Sequence, residues 1–455
     1  MLEKLFHLTD RGSNVRTELI AGLTTFITMA YILFLAPNIL SLGGMDKEAV
    51  LIATALGGGL VSIAVGLIAN YPICFAPGVG LLAFYSFTVV LGMGIPWQTA
   101  LGAVFISGLV FLALTVTHIR QLIIEAIPPS LKVAITVGIG LFISIIGLKL
   151  SGLMSIRLSL SPETLANVVT ANGNFVPGAS ETLLELGVLT NPEHIMSIFA
   201  IVFTAILMAR NVQGAMVIGI LVTTVVGYAS GVAVLPEQLS FLSLPDFSKA
   251  AIGELNISDA FHMGLVTIVF TFTFTELFDS MGTMIGTATK AGIADPKTGK
   301  FPGLGKALTT DAVGVCLGAF LGVSTVTAFV ESTSGVSAGG KTGLTAVACG
   351  VLFFLSLLFA PLIGLVPGFA TNAILILVGV LMMGAVKDID FEDISEGFPA
   401  FMTIVMMPFT YSIANGIAAG LIFYPVMKVM TGRYKEVHPA LYILALVVAV
   451  KYIWF

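Results

Sequence analysis

Four acidic residues stand where acids are expensive. Glu276 and Asp279 lie in FTFTELFDSMGT, Glu331 lies in STVTAFVESTSGVSAGG, and Asp311 falls near the start of another apolar stretch. A charge held at bilayer depth costs at least about 2.5–3.5 kcal/mol, so each position is a candidate for function. Glu276 and Asp279 are three residues apart and share one face of a helix. Two carboxylates in one dry pocket can share a proton, which is what a proton-coupled carrier needs. A carboxylate is also a two-pronged acceptor for adjacent N–H groups on a planar heterocycle. The competing reading is structural, because a carboxylate can cap a helix or bridge to a hydroxyl. Function is preferred for Glu276 and Glu331, both readings stay open for Asp279, and Asp311 reads as a helix-terminal cap. Phe26, Tyr31, Phe75, Phe84, Phe272, Phe274, Phe278 and Phe329 fall in or near the same segments. They could stack on an aromatic ring, although membrane helices are rich in Phe for packing alone.

Positioning these groups requires unusual elements. The stretch 322–343 is made of Ser, Thr and Gly around Glu331, yet apolar spans flank it on both sides. At membrane depth such a backbone must lie against protein or a wet cavity, since lipid offers no hydrogen-bond partners. The third span, NYPICFAPGVGLLAF, holds Phe75, Gly80 and Leu82 and is interrupted in the same way. Each has an extended-looking piece followed by a Gly-rich turn that can open a helix and present free N–H groups to a polar ligand.

Composition sets the solvent. The 455 residues are 57% hydrophobic and 10% charged, where a soluble chain carries roughly a quarter charged residues, so the surface must face hydrocarbon. The 49 glycines suit close helix contacts and broken helices rather than the alternation of a β-barrel. The expected fold is an all-α polytopic membrane protein. A net charge of -5 with no basic stripe argues against nucleic acid as a partner. Cys74, Cys316 and Cys349 lie in apolar surroundings without CxxC spacing and read as small buried hydrophobes. The five histidines are scattered at span ends and loops, so neither a metal site nor an enzymatic constellation is indicated, and no cofactor is expected. The N-terminus lacks a cleavage-site pattern and reads as a cytoplasmic or interfacial lead-in.

Spans of about 20 residues, shorter where Gly or Pro interrupt them, place segments near 19–40, 49–69, 73–91, 97–117, 131–150, 194–210, 215–233, 261–285, 307–322, 325–339, 343–364, 370–386, 398–411 and 412–431. That makes about fourteen spans. Lys4, Arg11, Arg16, Arg120, Arg210, Lys290, Lys297, Lys300, Lys306, Lys428, Arg433 and Lys435 then fall on one side. The positive-inside rule assigns that side, with the N-terminus and loop 286–306, to the cytoplasm. The connections 157–193 and 234–260 carry mostly acids, among them Glu163, Glu181 and Glu237, and fall on the other side. The apolar tail 440–455 reads as packed against the bundle or lying at the interface. A weak internal repeat at about 240–255 residues suits duplicated transporter halves, with seven spans per half forcing the second half upside down. Such inverted repeats put substrate near the midplane, where broken helices meet.

Several motifs together carry a resemblance. AGLTTFITMAYILFLAPNIL, ANYPICFAPGVGLLAF, AIPPSLKVAITVGIGLFISIIGL, ELFDSMGTMIGTATKAG, VSTVTAFVESTSGVSAGGKTGLTAV and PAFMTIVMMPFTYSIANGIAAG resemble the purine permeases of the nucleobase:cation symporter-2 family, in the hypoxanthine/guanine/adenine branch. The likeness covers essentially the whole chain. It implies the uracil-permease fold: fourteen spans as two inverted seven-span repeats, broken at spans three and ten. A core domain would comprise 19–117 and 261–364, a gate domain 131–233 and 370–431. It further implies proton-coupled uptake of a purine base through the plasma membrane, frequently as a homodimer. Carried over by motif, Glu276 corresponds to the acid that hydrogen-bonds the base and Glu331 to the acid beside the tenth-span half-helix. Val330 and Ser332 would add backbone contacts beside Phe329. Relatives commonly place Asn where this chain has Leu82, and they vary between Asp and Asn at the position of Glu276. An acid there resembles the guanine/hypoxanthine carriers. The expectation is therefore proton symport of guanine or hypoxanthine, with adenine, xanthine or uracil as alternative substrates. An anion transporter of the same fold is the reading from another class, and it predicts a basic residue where this chain offers glutamates.

Overall fold

The computed structural model describes residues 2–117, 119–158, 182–235, 242–262, 266–294 and 301–454. Glu163, Glu181, Glu237, Lys297 and Lys300, used above to orient the loops, lie outside the described residues. Among the described residues, nine helices are long and apolar enough to cross a membrane and four more are shorter and apolar. The protein is a multi-pass helical membrane protein.

The first half runs α1 (Val15–Met29), α2 (Ile32–Leu42), α3 (Lys47–Ile68), a short strand β1 (Phe75–Pro77) and α4 (Val79–Ala83), which continues as a π-helix over Phe84–Gly92. Then come α5 (Trp97–Val116), the short α6 (Ile119–Ala126) and α7 (Pro129–Leu150). A hairpin-like pair, β2 (Met154–Leu158) with β3 (Thr182–Leu186), precedes α8 (Pro192–Ala209) and α9 (Ala215–Ala229). The second half brings α10 (Val266–Lys290), α11 (Leu304–Leu321), β4 (Val326–Ala328), α12 (Ser332–Ser337) and α13 (Gly343–Ser356). It closes with α14 (Gly368–Met383), α15 (Ile394–Phe409), α16 (Ile413–Met430) and α17 (Pro439–Trp454).

Local chemistry fixes the starts of these helices. Asn14 accepts from the Thr17 N–H at 3.0 Å and Asp46 from the Ala49 N–H at 2.9 Å, each satisfying a donor that the first helical turn leaves free. Asn191 does the same for α8, whose first residue is Pro192. The N-terminus of α13 is closed from outside the helix. Glu18 of α1, fully buried, accepts from the backbone N–H groups of Lys341 and Thr342 and from the Thr345 hydroxyl.

Packing follows two sets of neighbours. α13 lies on α3 and α1, and α11 on α5 and α3; separately, α14 lies on α7 and α8, and α15 on α7 and α16. α3 and α13 meet backbone to backbone. A Cβ on Gly66 would stand 2.5 Å from the Gly343 carbonyl oxygen, and one on Gly343 only 2.0 Å from that of Gly66. The apolar tail forms α17, which packs on α16 and α6 and exposes Ile443, Leu446, Val447 and Val450 along one stripe.

Two cations used to orient the chain are buried inside it. Arg120 of α6 is buried against Asp311, and Lys428 of α16 is buried between Glu396 and Glu436, at 2.6 and 2.8 Å. A charge at a span end reads as a loop marker in sequence; each of these has instead found an acid close enough to offset its desolvation.

Candidate functional site

The third and tenth spans are both broken, and their extended pieces pair with each other. β1 and β4 are antiparallel in the register Phe75 with Ala328, Ala76 with Thr327 and Pro77 with Val326. The Phe329 N–H donates to the Cys74 carbonyl at 3.0 Å and the Gly78 N–H to that of Thr325 at 3.3 Å. This pairing satisfies backbone groups that no helix covers at membrane depth. The crossing needs Gly78, where a Cβ would stand 2.7 Å from Thr327 Cγ2.

Side chains brace the same crossing. The Ser62 hydroxyl accepts from the Phe75 N–H at 2.8 Å, and the buried Ser332 hydroxyl accepts from the Cys74 N–H at 3.0 Å. Ser332 thus braces the crossing through its side chain. Phe75 and Leu82 are fully buried, and Gly80 lies against α7, where a Cβ would be 2.7 Å from Ile139 Cγ2. Phe329 is buried with its ring 6.5 Å from that of Tyr31. Val330 is 57% exposed.

α10 runs past the strand pair and carries two of the acids. Glu276 is 1% exposed, and among the described residues neither carboxylate oxygen meets hydrogen-bond geometry with a partner. The hydroxyls of Thr325 and Thr327, flanking and within β4, approach it without meeting hydrogen-bond geometry, and both are unpartnered themselves. The Thr275 hydroxyl is buried and unpartnered as well. Asp279, half-buried, faces Gly78, where a Cβ would sit 3.8 Å from its Oδ2. Asp279 is also within electrostatic reach of Asp311 and Glu331. Glu331, half-buried, stands at the start of α12 and accepts a hydrogen bond from the Tyr31 hydroxyl at 2.6 Å. Tyr31 occupies the break between α1 and α2.

The charged neighbours of Glu276 are Asp279, Asp311 and Arg120, while Glu331 is engaged by Tyr31. Asp311 is not a helix cap. It lies within α11, fully buried, 3.1 Å from Arg120 Nη2, and it accepts from the Ser280 hydroxyl at 2.5 Å. Burial inside the helix leaves its carboxylate no free N–H of the first turn to cap, so it pairs across to α6 and α10 instead. Arg120, Ser280, Thr325 and Thr327 were not singled out from sequence. Hydroxyl residues at membrane depth are common, and Arg120 sits where a loop cation is expected.

Comparison with known proteins matches these elements to a family. The profile of the Xan_ur_permease family, described as a permease family, matches residues 16–174 and 152–419. The chain is 43% identical over 454 residues to the adenine permease AdeP of Escherichia coli, covering 100% of this chain and 96% of that one. It is 42% identical over 465 residues to the guanine/hypoxanthine permease PbuG of Bacillus subtilis, covering 100% of both. Among solved structures, the transmembrane domain of the cyanobacterial bicarbonate transporter BicA superposes with a TM-score of 0.62 at 14% identity, covering 90% of this chain and 97% of that one. The murine Slc26a9 anion transporter gives 0.61 at 12% identity over 91% of this chain and 68% of that one. At that identity the two structures share the fold alone. With matches that run through both interrupted spans and all four acids, the protein is a transporter and not an enzyme, and the chain belongs to the Xan_ur_permease family.

Proposed function

We propose that the protein imports a purine nucleobase, guanine or hypoxanthine first, together with a proton. The observation that carries this reading is the Glu276 carboxylate, buried beside the strand crossing with no hydrogen bond to either oxygen among the described residues. A buried acceptor without a donor is costly, and a planar base that offers adjacent N–H groups removes that cost on binding. Glu276 clamps the N–H edge of the base, Glu331 organises the site with Tyr31, and Asp279 lies between them to share the proton. Relatives named for guanine and hypoxanthine support the substrate class. Adenine is the second reading, favoured by the equal similarity to AdeP. An anion as substrate is disfavoured: Glu276, Asp279 and Glu331 are acids, and Arg120, the cation facing them, is already engaged by Asp311.

Transport proceeds by alternating access, with 19–117 and 261–364 as the core that carries the site and 131–233 and 370–431 as the gate. The protein lies in the plasma membrane with its N-terminus and residues 286–306 in the cytoplasm, and it works as a homodimer. The test is uptake of labelled hypoxanthine, guanine and adenine by a strain lacking its own purine carriers, with a pH jump across the membrane. Inward proton gradients are expected to accelerate uptake. Hypoxanthine uptake that survives unchanged in Glu276→Ala rejects the role given to that residue.

A further inference from the structure

A buried arginine lies within electrostatic reach of Glu276, on the short helix α6. Arg120 is 1% exposed on α6, the short segment between α5 and α7. Its Nη2 donates to Asp311 Oδ2 at 3.1 Å and to the Ser280 hydroxyl at 2.6 Å, and Ser280 donates to the same Asp311 oxygen. Its Nη1 reaches the Leu308 carbonyl at 3.4 Å, and the guanidinium lies 4.2 Å from the centre of the Phe111 ring. Three helices converge on this one group: α10 through Ser280, α11 through Asp311 and α5 through Phe111.

Ser280 is four residues beyond Glu276 and adjoins Asp279, so it lies on the face of α10 that carries Glu276. Whatever holds Ser280 fixes the rotation and depth of that face. Among the described residues no hydrogen bond orients the carboxylate of Glu276. We propose that Arg120 is a positioning residue for substrate binding: through Ser280 and Asp311 it sets the orientation of α10 that presents Glu276 to Thr325 and Thr327. It also supplies the positive charge that lets Glu276, Asp279 and Asp311 occupy one buried region. This inference rests on the proposed function, in which Glu276 binds a base.

A purely structural role is the competing explanation, and general energetics argues against it. Buried ion pairs are commonly no better for stability than well-packed apolar residues, so a pair that only held helices together would be replaceable. A group that orients a binding helix is not replaceable in this way, because an ångström of misplacement can cost about a hundredfold in rate.

The experiment compares wild type with Arg120→Lys, Arg120→Met, Asp311→Asn and the double variant Arg120→Met/Asp311→Asn. It measures the melting temperature of purified protein, its rise with added hypoxanthine or adenine, and KM and maximal rate of uptake. Arg120→Met leaves Asp311 buried and uncompensated and is expected to lower the melting temperature. The double variant removes the Arg120–Asp311 pair as a unit and is expected to melt closer to wild type than Arg120→Met does. It should nonetheless lose the base-induced rise and about a hundredfold in uptake efficiency, chiefly through KM. Arg120→Lys, with the charge but not the planar fork, should fall between. A double variant with wild-type KM and a wild-type base-induced rise overturns the inference while leaving the function standing. Wild-type protein that neither takes up nor is stabilised by any purine base overturns both.

Discussion

Tyr31 and Glu331 are joined by one hydrogen bond across the break in the first span, which makes the pair a direct probe of the site. A hydrogen bond to a charged group contributes about 1.5–3 kcal/mol, and the half-buried Glu331 can recruit water in its place, so the low end applies. Tyr31→Phe is therefore expected to raise KM for the base about tenfold with little change in maximal rate, as initial rates of labelled uptake would reveal. A wild-type KM in that variant would remove Tyr31 from the site. Glu276, Asp279 and Glu331 stand out in the sequence as candidates because a carboxylate inside an apolar span is conspicuous by its cost. Asp311 has the sequence signature of a cap and Arg120 that of a loop cation, yet the two pair inside the bundle. What distinguishes them is which helix lies opposite, and no local pattern in α6 or α11 records that. Thr325 and Thr327 were hidden for a different reason, since threonines are frequent in membrane helices and only the neighbouring carboxylate singles them out.

Among elements, α3 and α13 show how much packing rests on a missing side chain. Their backbones touch at Gly66 and Gly343, and a methyl group at either would overlap a carbonyl oxygen. Gly343→Ala should cost about 1–3 kcal/mol, typical of forced overpacking, and appear as lower yield and a lower melting temperature in detergent. An unchanged melting temperature would mean that the helices separate without penalty. The N-terminus of α15 is stapled differently. Asp393 accepts from the Ser395 N–H and pairs with Arg433, just beyond the end of α16. Hydrogen bonding from Arg433, then from Ser395, holds the Asp393 carboxyl down at about 2. A carboxyl depressed in the folded state adds stability above its ordinary value near 3.8, and that stability is lost as pH falls toward 2. Melting temperature between pH 4 and 2 should therefore fall less steeply in Asp393→Asn than in wild type; parallel curves would show that the staple carries no pH-dependent stability. The broken third and tenth spans could be read from their Gly, Pro, Ser and Thr content. That their extended pieces pair could not, because strand partners so far apart in sequence leave no periodic trace.

Over the whole molecule, the two proposed bodies are tied at one end. The Asn38 amide donates to the Thr371 hydroxyl at 2.8 Å, while Lys47 donates to the Asn38 carbonyl oxygen, also at 2.8 Å. The Thr88 hydroxyl donates to the Tyr411 carbonyl at 2.9 Å. Asn38 and Thr88 belong to the proposed core, Thr371 and Tyr411 to the proposed gate. If the two move against each other, these bonds must break in every cycle. Cysteines at 38 and 371, oxidised to a disulfide, are thus expected to abolish uptake and a reductant to restore it. Transport that persists with the crosslink formed would show that this end stays closed throughout. The paired strands carry a consequence of another kind, for biosynthesis. Residues 75–77 enter the membrane long before residues 326–328 leave the ribosome, and until then their amides face an interior with nothing to bond. Chains cut short anywhere between the two are left with an open polar seam, and such fragments should be preferred prey for membrane quality-control proteases.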